Sequence, residues 1–127
     1  MITRTVRDNE LVIVEDGQEI LSVKEEIDEE KIMLYISGEM KKNAIHNIED
    51  ELTTLTTLKR PIIIDLSKVT YMSGSSTDIF LQIQKSIDLK KNDNIHCKEY
   101  LKILNPSKEV SEVFEKNGFF DLLDIEM

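Results

Sequence analysis

The segment PIIIDLSKVTYMSGSSTDIF, residues 61–80, joins a strand pattern to a helix pattern through a corner rich in hydroxyl groups. Its continuous run of β-branched residues at 62–64 is typical of a strand covered on both faces in a parallel sheet. We therefore predict that residues 62–66 form an interior strand with helices on both faces. Beyond the corner, four apolar residues recur at helical spacing and predict a helix: Ile79, Phe80, Ile83 and Ile87.

Strand patterns dominate the chain upstream of this segment. Two of them flank Asp16-Gly17, a pair that favours a hairpin because glycine readily adopts positive φ. A third strand pattern, KIMLYISG at residues 31–38, ends at Gly38. The period then becomes that of a helix, for which Asn43 is the predicted N-cap. The apolar face of this predicted helix consists of Ile45, Ile48, Leu52 and Leu55.

A strand, a helix and a short apolar segment complete the chain. YLKILN at residues 100–105 predicts the strand, and Asn105 or Ser107 is the predicted N-cap of the helix, which Gly118 ends. The segment FFDLLDI, residues 119–125, closes the chain. Because strands alternate with helices, we predict an α/β fold with a mixed, largely parallel β-sheet, helices packed on it and an N-terminal β-hairpin.

Length and composition predict one ordinary globular domain. The chain has 127 residues, of which 40% are hydrophobic and 32% are charged, enough to build one core but not two. It lacks the run of about 20 apolar residues that a membrane span requires, and its first residues lack the apolar region of a signal peptide. We therefore expect a cytoplasmic protein without a membrane partner.

Charge and cysteine content narrow the possible partners. A formal net charge of −9 argues against nucleic acid, because phosphate backbones are repelled, and favours a protein or a small ligand. Cys97 is the single cysteine, and the sequence has no Cys/His cluster for a metal. The acidic run EEIDEE, residues 25–30, is either a docking face for a basic partner or a solvated turn between strands.

The hydroxyl-rich corner has two interpretations that rest on its residues alone. In the first, Ser75 and Ser76 are N-caps, as serines at a helix start commonly are. A hydroxyl there is also a suitable phosphate acceptor, since unpaired N–H groups and the helix dipole stabilise an added anion. A catalytic role is weak, because residues 74–78 lack the second glycine of the Gly-x-Ser-x-Gly elbow and neither His46 nor His96 lies near the corner in sequence. We predict no catalytic residue and no enzyme.

Four segments resemble the STAS domain, the fold of bacterial anti-sigma factor antagonists. IMLYISGEM is similar to the family's strand that ends in Gly-Glu-Leu, and PIIIDLSKVTYMSGSS is similar to its strand and phosphorylation loop. LKILNPSKEV and FEKNGFFDLLDI resemble its last strand, last helix and closing segment. The resemblance implies one STAS-like domain over residues 1–127, with a hairpin extension at 1–21 and a family-like core at 22–126.

The resemblance also implies a function and a site. The family's antagonists bind an anti-sigma factor that is also a serine kinase of the ATPase-kinase superfamily, and the kinase phosphorylates a serine at this corner. Ser75 aligns with that phosphoacceptor, and Ser76 is the second choice. The partner-binding residues implied by the alignment are Met40, Lys41, Ser73, Gly74, Ser75, Ser76, Thr77 and Asp78. The antagonist would need no cofactor, and phosphate on Ser75 would weaken or release the complex.

Three residues depart from the family's pattern. Ser73 stands where the family usually has Asp, Ser76 where it has Gly, and Lys41 where an Asp commonly follows Gly-Glu-Leu. Two further functions therefore remain open. One is a sensory STAS module that binds a small ligand, and the other is an assembly scaffold without phosphorylation. A homodimer formed through an exposed strand edge is compatible with the scaffold.

Overall fold

The mixed α/β architecture predicted from the sequence is confirmed by a computed structural model, which describes residues 2–93 and 100–127. In those ranges seven strands form one sheet in chain order. The strands are β1 (Ile2–Arg7), β2 (Glu10–Glu15), β3 (Gln18–Ile27), β4 (Ile32–Met40), β5 (Ile62–Met72), β6 (Leu101–Leu104) and β7 (Asp124–Glu126). The α-helices are α1 (Lys42–His46), α2 (Glu49–Thr54), α3 (Asp78–Asp93) and α4 (Lys108–Lys116).

The sheet has an antiparallel half and a parallel half. Strands β1 to β4 pair antiparallel, and β4 to β7 pair parallel. The predicted hairpin at Asp16-Gly17 joins β2 to β3, with φ of 52° and 81° at these two residues. Strand β1 was not predicted, because most of its Thr and Arg side chains are exposed and present no apolar face. Strand β3 spans the predicted boundary between the hairpin extension, residues 1–21, and the family-like core, residues 22–126.

The core lies on one face of the sheet. Side chains alternate along β5, so that Ile62, Ile64 and Leu66 are fully buried while Ile63 and Asp65 are only half-buried. The predicted interior strand is therefore correct, whereas the prediction that helices cover both of its faces is wrong in the described part of the chain. Ile63 extends the apolar run in the sequence, but its neighbours across the sheet are the half-buried Met33 and Lys102.

The first predicted helix is broken into shorter pieces. Helix α1 is followed by α2 and by a 3₁₀ turn at Leu55–Leu58. The four predicted apolar residues of this region are nevertheless all buried. Asn43 is not the N-cap, because Lys41 occupies that position without a side-chain hydrogen bond. Asn43 lies within α1, where its carbonyl oxygen accepts a hydrogen bond of 2.8 Å from the side-chain amide of Asn47.

The last helix begins and ends as predicted. Ser107 is the N-cap of α4, and its Oγ accepts a 3.3 Å hydrogen bond from the backbone N–H of Val110. Gly118, with φ of 71°, ends the helix. The ring of Phe114 on α4 packs edge-on against Phe80 of α3, with the ring centroids 5.9 Å apart. This contact joins two helices over the core face of the sheet.

The acidic run 25–30 forms the end of β3 and part of the turn into β4. Burial raises the pKa of Glu25, which lies on the strand. In the turn, Oδ1 of Asp28 accepts the backbone N–H groups of Glu30 and Lys31 at 2.7 and 2.8 Å, and these bonds lower the pKa of Asp28. The carboxylate of Asp28 therefore orders the turn. His96 and Cys97 lie outside the described residues.

Two irregularities in the pairing of β4 with β5 alter the side chains on the sheet surface. The register shifts between Tyr35 and Ser37 and again between Gly38 and Glu39, which makes β5 locally longer than its partner. At each shift two consecutive residues of β5 are exposed, namely Ser67 with Lys68 and Thr70 with Tyr71. Bulges of this kind redirect side chains and are common next to functional sites.

Candidate functional site

The hydroxyl-rich corner lies where the parallel strands β4 and β5 end. Met40 at the end of β4 is paired with Met72 at the end of β5. The backbone N–H of Ser73 donates a 3.1 Å hydrogen bond to the carbonyl oxygen of Met40. The chain then forms a 3₁₀ turn, Gly74–Thr77, which continues into α3. The corner thus brings the start of α1 and the start of the 3₁₀ turn together at the carboxyl ends of two interior strands.

A network of hydroxyl groups holds the corner in shape. Ser73 is the N-cap of the turn, since its Oγ accepts from the backbone N–H of Ser76 at 3.2 Å. The Oγ atoms of Ser73 and Ser76 are 2.5 Å apart, and Ser76 donates its hydroxyl to the Met40 carbonyl at 2.6 Å. The hydroxyl of Thr77 donates to the Gly74 carbonyl at 2.6 Å. These bonds satisfy the polar groups that the turn buries.

The interpretation of Ser75 and Ser76 as N-caps is therefore wrong, because Ser73 provides the cap. Ser75 is exposed, and the one hydrogen bond of its hydroxyl in the described structure is a long one, 3.3 Å to the Oγ of Ser73. Ser76 is only 1% exposed, and its Oγ already contacts two oxygens. Of these two serines, Ser75 is the one that a second protein can reach.

The predicted partner-binding residues divide into a supporting set and an exposed set. Met40, Ser76 and Thr77 are buried, so their side chains are not exposed to a partner in this structure, and their part in partner binding stays a prediction. They support the turn from beneath. Gly74, Ser75 and Asp78 are exposed, while Ser73 and Lys41 are half-buried. Lys41 forms an ion pair of 3.4 Å with Glu39.

Sequence reasoning missed two exposed residues beside the corner. Thr70 and Tyr71 lie on the last stretch of β5 before the corner, and Tyr71 is 48% exposed. The register shift after Gly38 exposes them together, and a strand pattern of period two gives no signal for such a shift. An exposed tyrosine adds contact area to the surface around Ser75, as tyrosines do in many interfaces.

Within residues 2–93 and 100–127, the corner shows none of the partners that a catalytic serine requires. In the described ranges, no histidine or carboxylate forms a hydrogen bond with a hydroxyl of Ser73, Ser75 or Ser76. His46 projects from α1 into solvent and lies 3.8 Å from Glu49. The same part of the chain contains no group of three potential metal ligands, and none of its helices has the length and apolar character to cross a membrane.

The hydroxyl network predicts which serines matter for stability. Ser73→Ala and Ser76→Ala should each lower the free energy of unfolding by about 1–3 kcal/mol, because buried hydrogen-bond partners are left unsatisfied. Ser75→Ala should change it by less than about 0.5 kcal/mol, as at other exposed positions. Urea unfolding of the three variants gives these values. A loss at Ser75 as large as that at Ser73 would restore Ser75 as a structural residue.

Comparison with known proteins agrees with this fold. The family model of the STAS domain matches residues 21–127, and the chain therefore belongs to the STAS domain family. Among curated proteins no sequence match is found.

Solved structures with the same fold include several anti-sigma factor antagonists. SpoIIAA in its unphosphorylated form is 18% identical, with 83% of this chain and 88% of that chain covered and a TM-score of 0.62. A putative anti-sigma factor antagonist from Thermotoga maritima is 16% identical, with 83% and 86% covered and a TM-score of 0.69. Bacillus SpoIIAA in its phosphorylated form is 18% identical, with 83% and 91% covered and a TM-score of 0.57.

Proposed function

We propose that this protein is an anti-sigma factor antagonist-like regulator. It binds an anti-sigma factor or a related serine kinase through the exposed part of the corner, and phosphorylation of Ser75 weakens that complex. The observation that carries the proposal is that the corner serines differ in their contacts: Ser73 and Ser76 form the hydrogen bonds that hold the turn, while Ser75 is exposed. Membership of the STAS family supports the choice of partner.

The position of Ser75 provides a physical mechanism for release. A phosphate adds about −1.5 to −2 charges at pH 7. On Ser75 it would stand in the turn that leads into α3, whose first turn already carries the exposed Asp78. A partner surface that fits the neutral hydroxyl then faces a strongly hydrated anion, and desolvating that anion opposes binding. The network beneath would stay intact, because the Ser75 hydroxyl is not needed to cap the turn.

The proposal makes this chain the substrate of a kinase and not a kinase or another enzyme. ATP is bound by the partner, so the antagonist needs no cofactor of its own. Because the modification consumes ATP, we place the protein in the cytoplasm. The fold can accept the modification without rearrangement, since only an exposed side chain changes.

Affinity capture from an extract of the source organism tests the proposal. Wild-type protein should capture a serine kinase or anti-sigma factor, Ser75→Ala should capture it equally, and Ser75→Asp should capture much less. Thr57→Asp is a matched control, because the exposed Thr57 lies in the 3₁₀ turn just before β5 and therefore at the opposite end of that strand. Equal capture by Ser75→Asp and Thr57→Asp would contradict a contact at Ser75.

A further inference from the structure

A concave pocket of about 410 Å³ lies on the face of the sheet that the helices leave open. Residues from β2, β3, β4 and β5 line it, among them Ser22, Lys24, Tyr35, Asp65, Ser67 and Lys68. Its volume falls within the range of about 300–1,000 Å³ that is usual for small-molecule sites. The residues of the hydroxyl-rich corner do not line this pocket, which is a separate feature of the molecule.

The register shift in β5 shapes one wall of the pocket. Asp65 is paired with Tyr35, and after the shift Lys68 is paired with Ser37. The additional residue lets both Ser67 and Lys68 line the pocket, although strict alternation would send them to opposite faces. Asp65 fixes this geometry, since its Oδ1 accepts the backbone N–H of Ser67 at 2.9 Å and the Ser67 hydroxyl at 2.7 Å.

Hydroxyl groups dominate the neutral part of the lining. Ser22 and Ser37 face each other across β3 and β4 with their Oγ atoms 2.7 Å apart, and Ser67 and Tyr35 add two more hydroxyls. The Tyr35 hydroxyl lies 3.5 Å from Oε2 of Glu26, and the charge of Glu26 is the main cause that raises the pKa of Tyr35. A lining of this kind favours a ligand with many hydrogen-bonding groups over a lipid or an aromatic molecule.

The lining carries two ammonium groups, of Lys24 and Lys68, and three carboxylates, of Glu10, Glu26 and Asp65. Lys24 and Lys68 are exposed in the pocket and form no ion pair in the described structure. Each carboxylate has a partner, since Glu10 pairs with Arg7 at 2.8 Å, Asp65 accepts two bonds from Ser67, and Oε2 of Glu26 lies 3.5 Å from the Tyr35 hydroxyl. Two free ammonium groups can hold phosphate or carboxylate, while the carboxylates that remain accept hydrogen bonds from hydroxyl groups of the ligand.

We propose that this pocket binds a small, hydroxyl-rich organic anion of the sugar phosphate class. Lys24 and Lys68 bind the anionic group, and Ser22, Ser67 and Asp65 bind the hydroxyl groups. A zwitterion such as an amino acid is the competing ligand class, because it has both charges but no chain of hydroxyl groups for the lining carboxylates to accept. Binding at this site gives the protein a ligand input that is spatially distinct from Ser75.

An NMR titration of the full-length, ¹⁵N-labelled protein with glucose 6-phosphate tests this assignment. Saturable shifts are expected at the amides of Ser22, Tyr35 and Ser67. Lys24→Gln and Lys68→Gln should each weaken binding by about tenfold, which corresponds to the loss of one hydrogen bond to a charged group. Lys116→Gln, which removes the same charge from the exposed end of α4, should bind as the wild type does. Ser67→Ala should weaken binding without removing a charge.

Three parallel titrations separate the parts of the proposed ligand. Glucose and inorganic phosphate should each bind at least about tenfold more weakly than glucose 6-phosphate, because each makes only some of the contacts. Phosphate binding as tight as that of the sugar phosphate would reduce the site to a simple anion site and overturn the assignment. Tighter binding of glycine would overturn the ligand class. No pocket shifts at millimolar sugar phosphate, or equal binding by the Lys24 and Lys116 variants, would overturn the site itself.

Discussion

Gly38→Ala should destabilise the protein more than any other glycine substitution in the described residues. Gly38 has φ of 101°, and a Cβ atom there would overlap the backbone carbonyl oxygen of Ile20 on β3 and lie 3.1 Å from its carbon. A residue forced into this backbone conformation costs roughly 1–3 kcal/mol. Overpacking against a backbone that cannot move adds about 1–3 kcal/mol. The sum is a large part of the roughly 5–15 kcal/mol that stabilises a domain.

Two other glycines are matched controls for the two parts of this cost. Gly17 has φ of 81° but open space where a Cβ atom would lie, so Gly17→Ala should show the backbone strain alone. Gly74 has neither a positive φ nor a close neighbour, and Gly74→Ala should leave stability almost unchanged. Urea unfolding should therefore rank the losses as Gly38, Gly17 and Gly74. Equal losses at Gly38 and Gly17 would show that β3 and β4 do not approach as closely as described.

Ser75→Asp should weaken binding to the partner kinase by at least about tenfold, or 1.4 kcal/mol. The substitution places a permanent negative charge in the exposed centre of the proposed contact, beside the first turn of α3. A carboxylate carries less charge and fewer oxygens than phosphate, so the phosphorylated protein should bind still more weakly. Ser75→Ala should keep the affinity of the wild type and resist release by ATP, because the neutral surface persists.

Calorimetric titration of the purified partner against each variant measures these affinities. Thr57→Asp adds the same charge before β5 and should bind as the wild type does. Thermal melts accompany the titrations, and Ser75→Asp should melt close to the wild type because Ser73 caps the turn. Undiminished binding by Ser75→Asp, with an intact fold, would exclude Ser75 from the contact.

From β2 onward, the alternation of strands with helical segments could be predicted from the sequence because hydrophobic period depends only on local residues. Ile62, Ile64 and Leu66 are buried as this pattern requires. Which face of the sheet the helices cover could not be predicted in the same way. Ile63 continues the apolar run, yet it lies on the face that the helices leave open. Strand β1 has no apolar face, and its pairing with β2 is a property of the sheet and not of its own residues.

The location of the corner could be predicted from the sequence, but the separate roles of its serines could not. Its serines, its strand and its helix are contiguous in the sequence, and the structure brings them together as expected. The hydroxyl of the buried Ser76, however, donates to the Met40 carbonyl, which is 36 residues away in the sequence. Such a contact depends on the register of β4 and β5, which no local pattern specifies. The structure was therefore needed to separate the supporting Ser73 and Ser76 from the exposed Ser75.

Phosphosite mapping by mass spectrometry tests the central proposal most directly. The purified protein is incubated with ATP and the serine kinase that it captures, and wild type, Ser75→Ala and Ser76→Ala are compared. We predict one added phosphate on wild type and on Ser76→Ala, located at Ser75, and none on Ser75→Ala. Phosphate at another residue, or none on the wild-type protein while the kinase phosphorylates a control substrate, would contradict the account.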